Sequence, residues 1–204
     1  AIFRQVPLVD FQRPHRRSAG FQAGAEARVR QAVFLHADNP LEEISIEQLV
    51  GIYGEGGEVT RWTDLGVEVP GCQGQEIVVV SRQNNSGTYA YFRGAVLGSR
   101  DFRLGTRDMH GSKDVVDLVE KTPCAIGYSG LAYSTDHVKM ACVAEETGGP
   151  CTSPSVETAV DGSYPIARPL FMYTNGEPTG IVGEYLNWIK SAEGQCIILN
   201  MGYA

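Results

Sequence analysis

Four residues in one short stretch have the chemistry to hold an anion: Arg82, Ser86, Gly87 and Thr88. A guanidinium presents a planar fork of N–H donors that matches two oxygens of a phosphate or a carboxylate. Ser86 and Thr88 add hydroxyls, and Gly87 lets the backbone come close to a ligand. The flanking residues explain how these types would come together. Ile77-Val78-Val79-Val80 reads as a buried strand, and Tyr89 to Leu97 as a helix with Phe92, Ala95 and Val96 on one face and Gly98 placed to end it. A strand, a polar turn and a helix then put Arg82 at the strand's end and Gly87 and Thr88 in the first helical turn. Unpaired N–H groups and the positive end of the helix dipole favour an anion there. Ser-Gly-Thr is also a common helix cap and Arg82 could be a plain surface charge, so the stretch alone leaves both readings open.

Other chemistries find less support. Gly127-Tyr-Ser129-Gly suggests a nucleophile elbow, but Leu131 stands where the last glycine belongs, and neither His110 nor His137 lies in a recognisable motif. Gly54-Glu-Gly-Gly lacks both the spacing and the ending of a phosphate-cradling P-loop. The histidines at 15, 36, 110 and 137 are scattered and there is no Cys-x-x-Cys, so no metal site, cofactor or enzymatic turnover is expected. Cys142 and Cys151 flank a Gly148-Gly149-Pro150 turn and either close a small disulfide loop or remain two thiols; Cys72, Cys124 and Cys196 cannot be paired from sequence.

The elements that must position the anion stretch follow from periodicity. Ala32 to Leu35 reads as a strand left through a His36–Pro40 turn, and Ser45 caps a helix to Tyr53 with Gln48 completing a capping box. Trp62 reads as core or rim, with stacking on a ligand as the alternative. Asp101 to Met109 is a loop or short strand, Ser112 can cap a helix to about Lys121, and Ala125 to Leu131 is a strand entering a glycine turn. Val138 to Val143 and Pro169 to Tyr173 are further strands, separated by a surface loop over Glu145 to Ser155. Thr179 to Ser191 is a helix with Val182, Tyr185, Leu186 and Ile189 on its apolar side. Alternating strands and helices predict an α/β fold in three layers, a mainly parallel sheet with helices on both faces. Such sheets bind ligands at the carboxyl ends of their strands, where Arg82 and Ser86 to Thr88 would lie.

Composition sets the outer bounds. The chain has 204 residues, 43% hydrophobic and 20% charged, and a net charge of −7, which argues against nonspecific nucleic-acid binding. No apolar run approaches a membrane span, and Ala1-Ile-Phe-Arg lacks a signal-peptide layout, so the chain reads as mature protein or an excised part. Six arginines up to Gln31 outweigh Asp10 and Glu26, a local balance of +4 that leaves −11 for the rest. That shift predicts an N-terminal extension or hinge remnant over residues 1–31 and an α/β domain over residues 32–204. Residues 1–31 read as mostly extended or loop, with a short helix around Ala23 to Arg30.

Arg82-x-x-x-Ser86-Gly87-Thr88 with its following aromatic helix resembles the phosphate-contacting segment of the periplasmic phosphate-binding proteins of ABC transporters, the PstS-like family. Further blocks match in the same order: Asn39-Pro40-Leu41, Trp62-Thr-Asp-Leu-Gly66, Ala125-Ile-Gly-Tyr-Ser-Gly-Leu131, Tyr164-Pro-Ile-Ala-Arg-Pro-Leu170 and Glu193-Gly-Gln195. The resemblance implies the second lobe of a periplasmic-binding-protein-like fold of the second type, which captures inorganic phosphate for a membrane permease without chemical turnover. By that likeness Arg82 grips the anion, Ser86 donates through its hydroxyl, Gly87 and Thr88 donate from the helix start, and Asn84 and Tyr128 support the site. Asn84 departs from the family's usual aspartate, which orients the arginine. Nothing in residues 1–31 matches the family's first lobe, which normally adds hydroxyls and a carboxylate. The implied location is periplasmic or extracellular, and the implied partners are phosphate or a similar oxyanion, an ABC permease, and a first lobe or a second copy in a homodimer. An interaction or sensory module that keeps the fold, or a receptor for sulfate or molybdate, are the alternatives.

Overall fold

The computed structural model describes residues 21–201 and 203; the readings made for residues 1–20 lie outside them. One eight-stranded sheet carries the architecture. In chain order the elements are β1 (Phe21–His36), β2 (Glu43–Ser45), α1 (Ile46–Tyr53), β3 (Val78–Arg82), α2 (Gly87–Phe92), β4 (Arg107–Met109), α3 (Ser112–Glu120), β5 (Ala125–Gly130), β6 (Val138–Ala144), β7 (Cys151–Thr152), α4 (Val156–Val160), β8 (Ala167–Asn175), α5 (Gly180–Lys190) and α6 (Ala192–Asn200). Across the sheet the order is β2-β6-β1-β5-β3-β4, with β7 on β6 and β8 on β1.

The α/β layering expected from the sequence is present. The pairing is mixed rather than mainly parallel: β3 runs parallel to β4 and β5, and β2 to β6, while β1 runs antiparallel to β5, β6 and β8. A short apolar run says that a strand is buried but not which way its neighbour points, because that depends on distant partners.

Alternate residues of the strands feed two cores. Val33, Leu35, Val79, Ile126 and Tyr128 face α1 and α2, packing with Leu49, Ile52, Tyr53 and Phe92. Ala32, Phe34, Val80 and Ala125 face α3 through Val115, Val116 and Val119. Both faces of the central strands are thus covered, which is why their sequences read as continuous apolar runs. A Cβ on Gly127 would stand 2.7 Å from Val115 Cγ1 and 2.9 Å from Val119 Cγ2, so α3 sits on the sheet at a distance only glycine permits. Gly127→Ala is expected to push α3 outward and cost about 1–3 kcal/mol, as overpacking does; urea unfolding of the variant measures this, and unchanged stability would show that α3 yields freely.

Local signals set several boundaries. Ser45 caps α1 through Gln48 N–H, and the Gln48 side chain returns to Ser45 N–H, the capping box read from sequence. After Phe92 the helix continues as a π-helical turn over Arg93–Leu97 and ends at Gly98, where φ is 63°. Trp62 is buried and donates from Nε1 to the Cys124 carbonyl at 3.2 Å. Two disulfides lock loops to the sheet: Cys142 to Cys151, and Cys72 to Cys124, a pairing the sequence left open. Cys196 is an exposed free thiol.

Two expectations change. Residues 23–30, read as a short helix, belong to β1, whose first half pairs with β8 from Phe21↔Asn175 to Arg30↔Ala167. The alanines and arginines of that stretch favour a helix locally, but a strand 140 residues away satisfies their backbone. β1 itself runs from Phe21 to His36. The apolar side read for α5 is only partly covered: Leu186 is buried and Ile189 half-buried, whereas Val182 and Tyr185 are 47% and 55% exposed.

Candidate anion-binding site

Because β3, β4 and β5 are parallel, their carboxyl ends lie side by side, and Gln31↔Gly130 pairing brings β1 into the sheet at that same edge. Arg82 ends β3 there. Its Nη1 donates to Ser112 Oγ at 2.7 Å and its Nη2 to the His110 carbonyl at 2.9 Å. The Nε–H is buried with no partner among the described residues. The fork is thus held from the start of α3, with N–H groups left over for another acceptor. The His110 ring is held in turn, Nδ1 lying 2.8 Å from Gln83 Oε1.

The Ser86-Gly87-Thr88 turn follows directly. Ser86 caps α2, its Oγ accepting from Thr88 N–H at 3.2 Å, and Ser86 N–H donates to the Gln83 carbonyl at 2.9 Å. Gly87 is exposed. The structure therefore places Arg82 and Gly87 at one edge with donors to offer, while the Thr88 N–H is turned into the cap. Gln31, fully buried in β1, steadies α2 by donating from Nε2 to the Thr88 carbonyl at 3.1 Å.

Tyr128 lies beneath the site. It is fully buried, stacks on Phe92 with ring centroids 3.7 Å apart, and its hydroxyl meets Ser81 Oγ at 2.8 Å. Burial pushes its phenol far above the ordinary value, and the Ser81 hydrogen bond offsets this only in part, so it stays neutral. Asn84 sits exposed in the turn with no hydrogen bond to Arg82; Ser112 and the His110 carbonyl hold the arginine instead.

Sequence reasoning missed these two anchors, because Ser112 reads as a helix cap and a carbonyl leaves no trace in sequence. It also missed Arg168, near the start of β8. The Arg168 guanidinium lies 5.9 Å from the Tyr91 ring centroid, and its Nη2 is 3.6 Å from where a Cβ on Gly87 would stand. Tyr91, one turn after Gly87, donates its hydroxyl to the Ala167 carbonyl at 2.7 Å and so ties α2 to β8. Arg168 appeared in the sequence only as part of the Tyr164 to Leu170 block.

The chain belongs to the PBP superfamily, whose domain model matches residues 27–193. Among its relatives are the phosphate-binding protein PstS of Pseudomonas aeruginosa, 31% identical over 182 residues (84% of this chain, 56% of that protein), and that of Bacillus subtilis, 31% identical over 179 residues (87% and 55%). A Clostridium perfringens protein assigned as a phosphate ABC transporter substrate-binding protein, solved with phosphate bound, superposes with a TM-score of 0.74 at 27% identity, covering 90% of this chain and 71% of that one. A Vibrio cholerae ABC-type phosphate transport receptor shares the fold, with a TM-score of 0.75 at 21% identity over 92% of this chain and 73% of the other. The resemblance to phosphate-binding proteins read from the sequence is thereby borne out. The chain spans about half the length of the curated relatives it matches.

Proposed function

We propose that this chain is the anion-binding lobe of a solute-binding protein that captures inorganic phosphate for an ABC-type importer, with no chemical turnover. Arg82 grips the anion, Gly87 N–H and the Ser86 and Thr88 hydroxyls complete the contacts, and Tyr128 and Asn84 act only on the surroundings. The observation that carries this reading is the state of Arg82: its guanidinium is fixed by Ser112 and His110 at the carboxyl edge, yet its Nε–H has no acceptor among the described residues. A fixed, under-satisfied fork beside a helix start is a ready oxyanion receptor. The relatives named for phosphate binding support the choice of anion.

A second body would complete the cleft, and a first lobe of the same fold is the occupant this reading requires. Ile181, Val182, Tyr185 and Trp188 on α5, Ile197 on α6 and Met201 just after it are each more than 40% exposed, apolar side chains that a partner could cover. A second copy of the chain would cover the same face. Two disulfides fit a periplasmic or extracellular setting, and no helix among the described residues is long and apolar enough to cross a membrane.

Calorimetric titration of the purified chain with phosphate at low salt, beside sulfate and molybdate, tests the reading. Saturable phosphate binding, stronger than that of the other two, is expected. A folded chain giving no response to phosphate well above ~1 mM, where binding would be worth only about −4 kcal/mol, would overturn it in favour of an interaction module.

A further inference from the structure

We propose that Arg168 is a second cation of this site, pairing with a doubly charged oxyanion held at Gly87 and Arg82. The inference rests on the anion-binding reading above and adds a residue and a charge preference to it.

Arg168 is half-buried, and among the described residues no carboxylate pairs with it. Its Nε is buried and lacks a hydrogen bond. Burial holds its pKa below the usual guanidinium range, offset in part by Tyr91 and Tyr203, although a guanidinium stays protonated regardless. A desolvated charge of this kind is costly unless something of opposite sign approaches it. The Tyr91 ring face offers a partial answer, since a cation is drawn to the ring quadrupole, but it supplies no acceptor.

Its position names the missing partner. β8 pairs with the first half of β1, Arg168 opposite Val29, just beyond the edge where β1 enters the sheet beside Gly130. That is the edge on which Arg82 and Gly87 lie. With Nη2 3.6 Å from the Cβ position of Gly87, the guanidinium rests against the first residue of α2, and Tyr91 holds this geometry by bonding the preceding residue's carbonyl. An anion at the Gly87 N–H therefore meets Arg168 on one side, with Arg82 at the same edge. Two arginines and, at position 84, an uncharged asparagine instead of a carboxylate favour a dianion over a monoanion.

The test is calorimetric titration with phosphate, sulfate and nitrate at low and high salt, combined with thermal melting of the ligand-free chain. Wild type is compared with Arg168→Gln, Arg168→Lys and Arg61→Gln, the last removing an exposed arginine at the opposite end of β3, where Ile77 N–H bonds the Thr60 carbonyl. Arg168→Gln is expected to weaken phosphate and sulfate roughly tenfold at low salt, the loss of about one charge-assisted hydrogen bond. Nitrate should weaken less, Arg168→Lys should recover part of the loss, and Arg61→Gln should change little. The ligand-free melting temperature of Arg168→Gln should be unchanged or higher, because an unpaired charge has been removed. Wild-type phosphate affinity in Arg168→Gln together with a lowered melting temperature would make Arg168 a structural residue and overturn this inference alone. A wild-type chain that binds none of the anions would overturn the anion-binding reading and this inference with it.

Discussion

Arg82→Ala is expected to weaken the proposed phosphate binding by about 2–3 kcal/mol, roughly 30- to 150-fold, in a titration of the variant against the wild-type chain. The estimate sits at the lower end for truncating one member of a charge pair because the edge of this lobe is open to water. Arg82→Lys keeps the charge but loses the planar fork, and an ammonium cannot reach Ser112 Oγ, the His110 carbonyl and an anion together. It should therefore recover only part of the loss. Removing the guanidinium also strips Ser112 and His110 of a donor, at a cost of about 1 kcal/mol of stability. Circular dichroism on the same sample separates the two effects. A folded Arg82→Ala chain with unchanged affinity would place the anion elsewhere.

Removal of the Cys72–Cys124 disulfide, by changing both residues to serine, should cost about 4 kcal/mol in the loop-entropy account, because the bridge closes a loop with a sequence separation of 52. That is a large part of the ~5–15 kcal/mol of a whole domain. Both sulfurs lie in the first core, and Trp62 bonds the Cys124 carbonyl, so a freed loop would loosen the indole as well. Removing Cys142–Cys151, with a separation of 9, should cost nearer 3 kcal/mol. Urea unfolding of the two double variants, followed by tryptophan fluorescence and circular dichroism, checks the order. If the shorter loop proves the more costly to open, native-state packing outweighs chain entropy here.

The legibility of this chain in its sequence follows from the range of each interaction. The α1 capping box, the Gly98 stop, the β3 run and the turn into α2 were readable because each is decided within about one helical turn or one strand. That Trp62 packs was readable, but its full burial under the Cys124 carbonyl was not. Residues 23–30 were misread because their helix-favouring composition is overruled by β8. The mainly parallel pairing differs from the mixed sheet because β1 runs antiparallel to its distant partners β5, β6 and β8.

At the site, the sequence by itself determined the chemistry: an arginine at a strand end, a serine, glycine and threonine at a helix start, and ordered blocks resembling the phosphate-binding proteins. Only the tertiary structure decided which groups complete that chemistry. It brought His110 and Ser112, 28 and 30 residues away, onto the guanidinium of Arg82, turned the Thr88 N–H into the Ser86 cap, and left Asn84 outside. It also joined Cys72 to Cys124 and set Arg168 against Gly87, 81 positions apart. Caps, turns and apolar runs are bonded to near neighbours in the chain and so can be read locally. Sheet register, disulfide partners and the surroundings of a buried charge depend on where distant segments pack, and no local pattern encodes them.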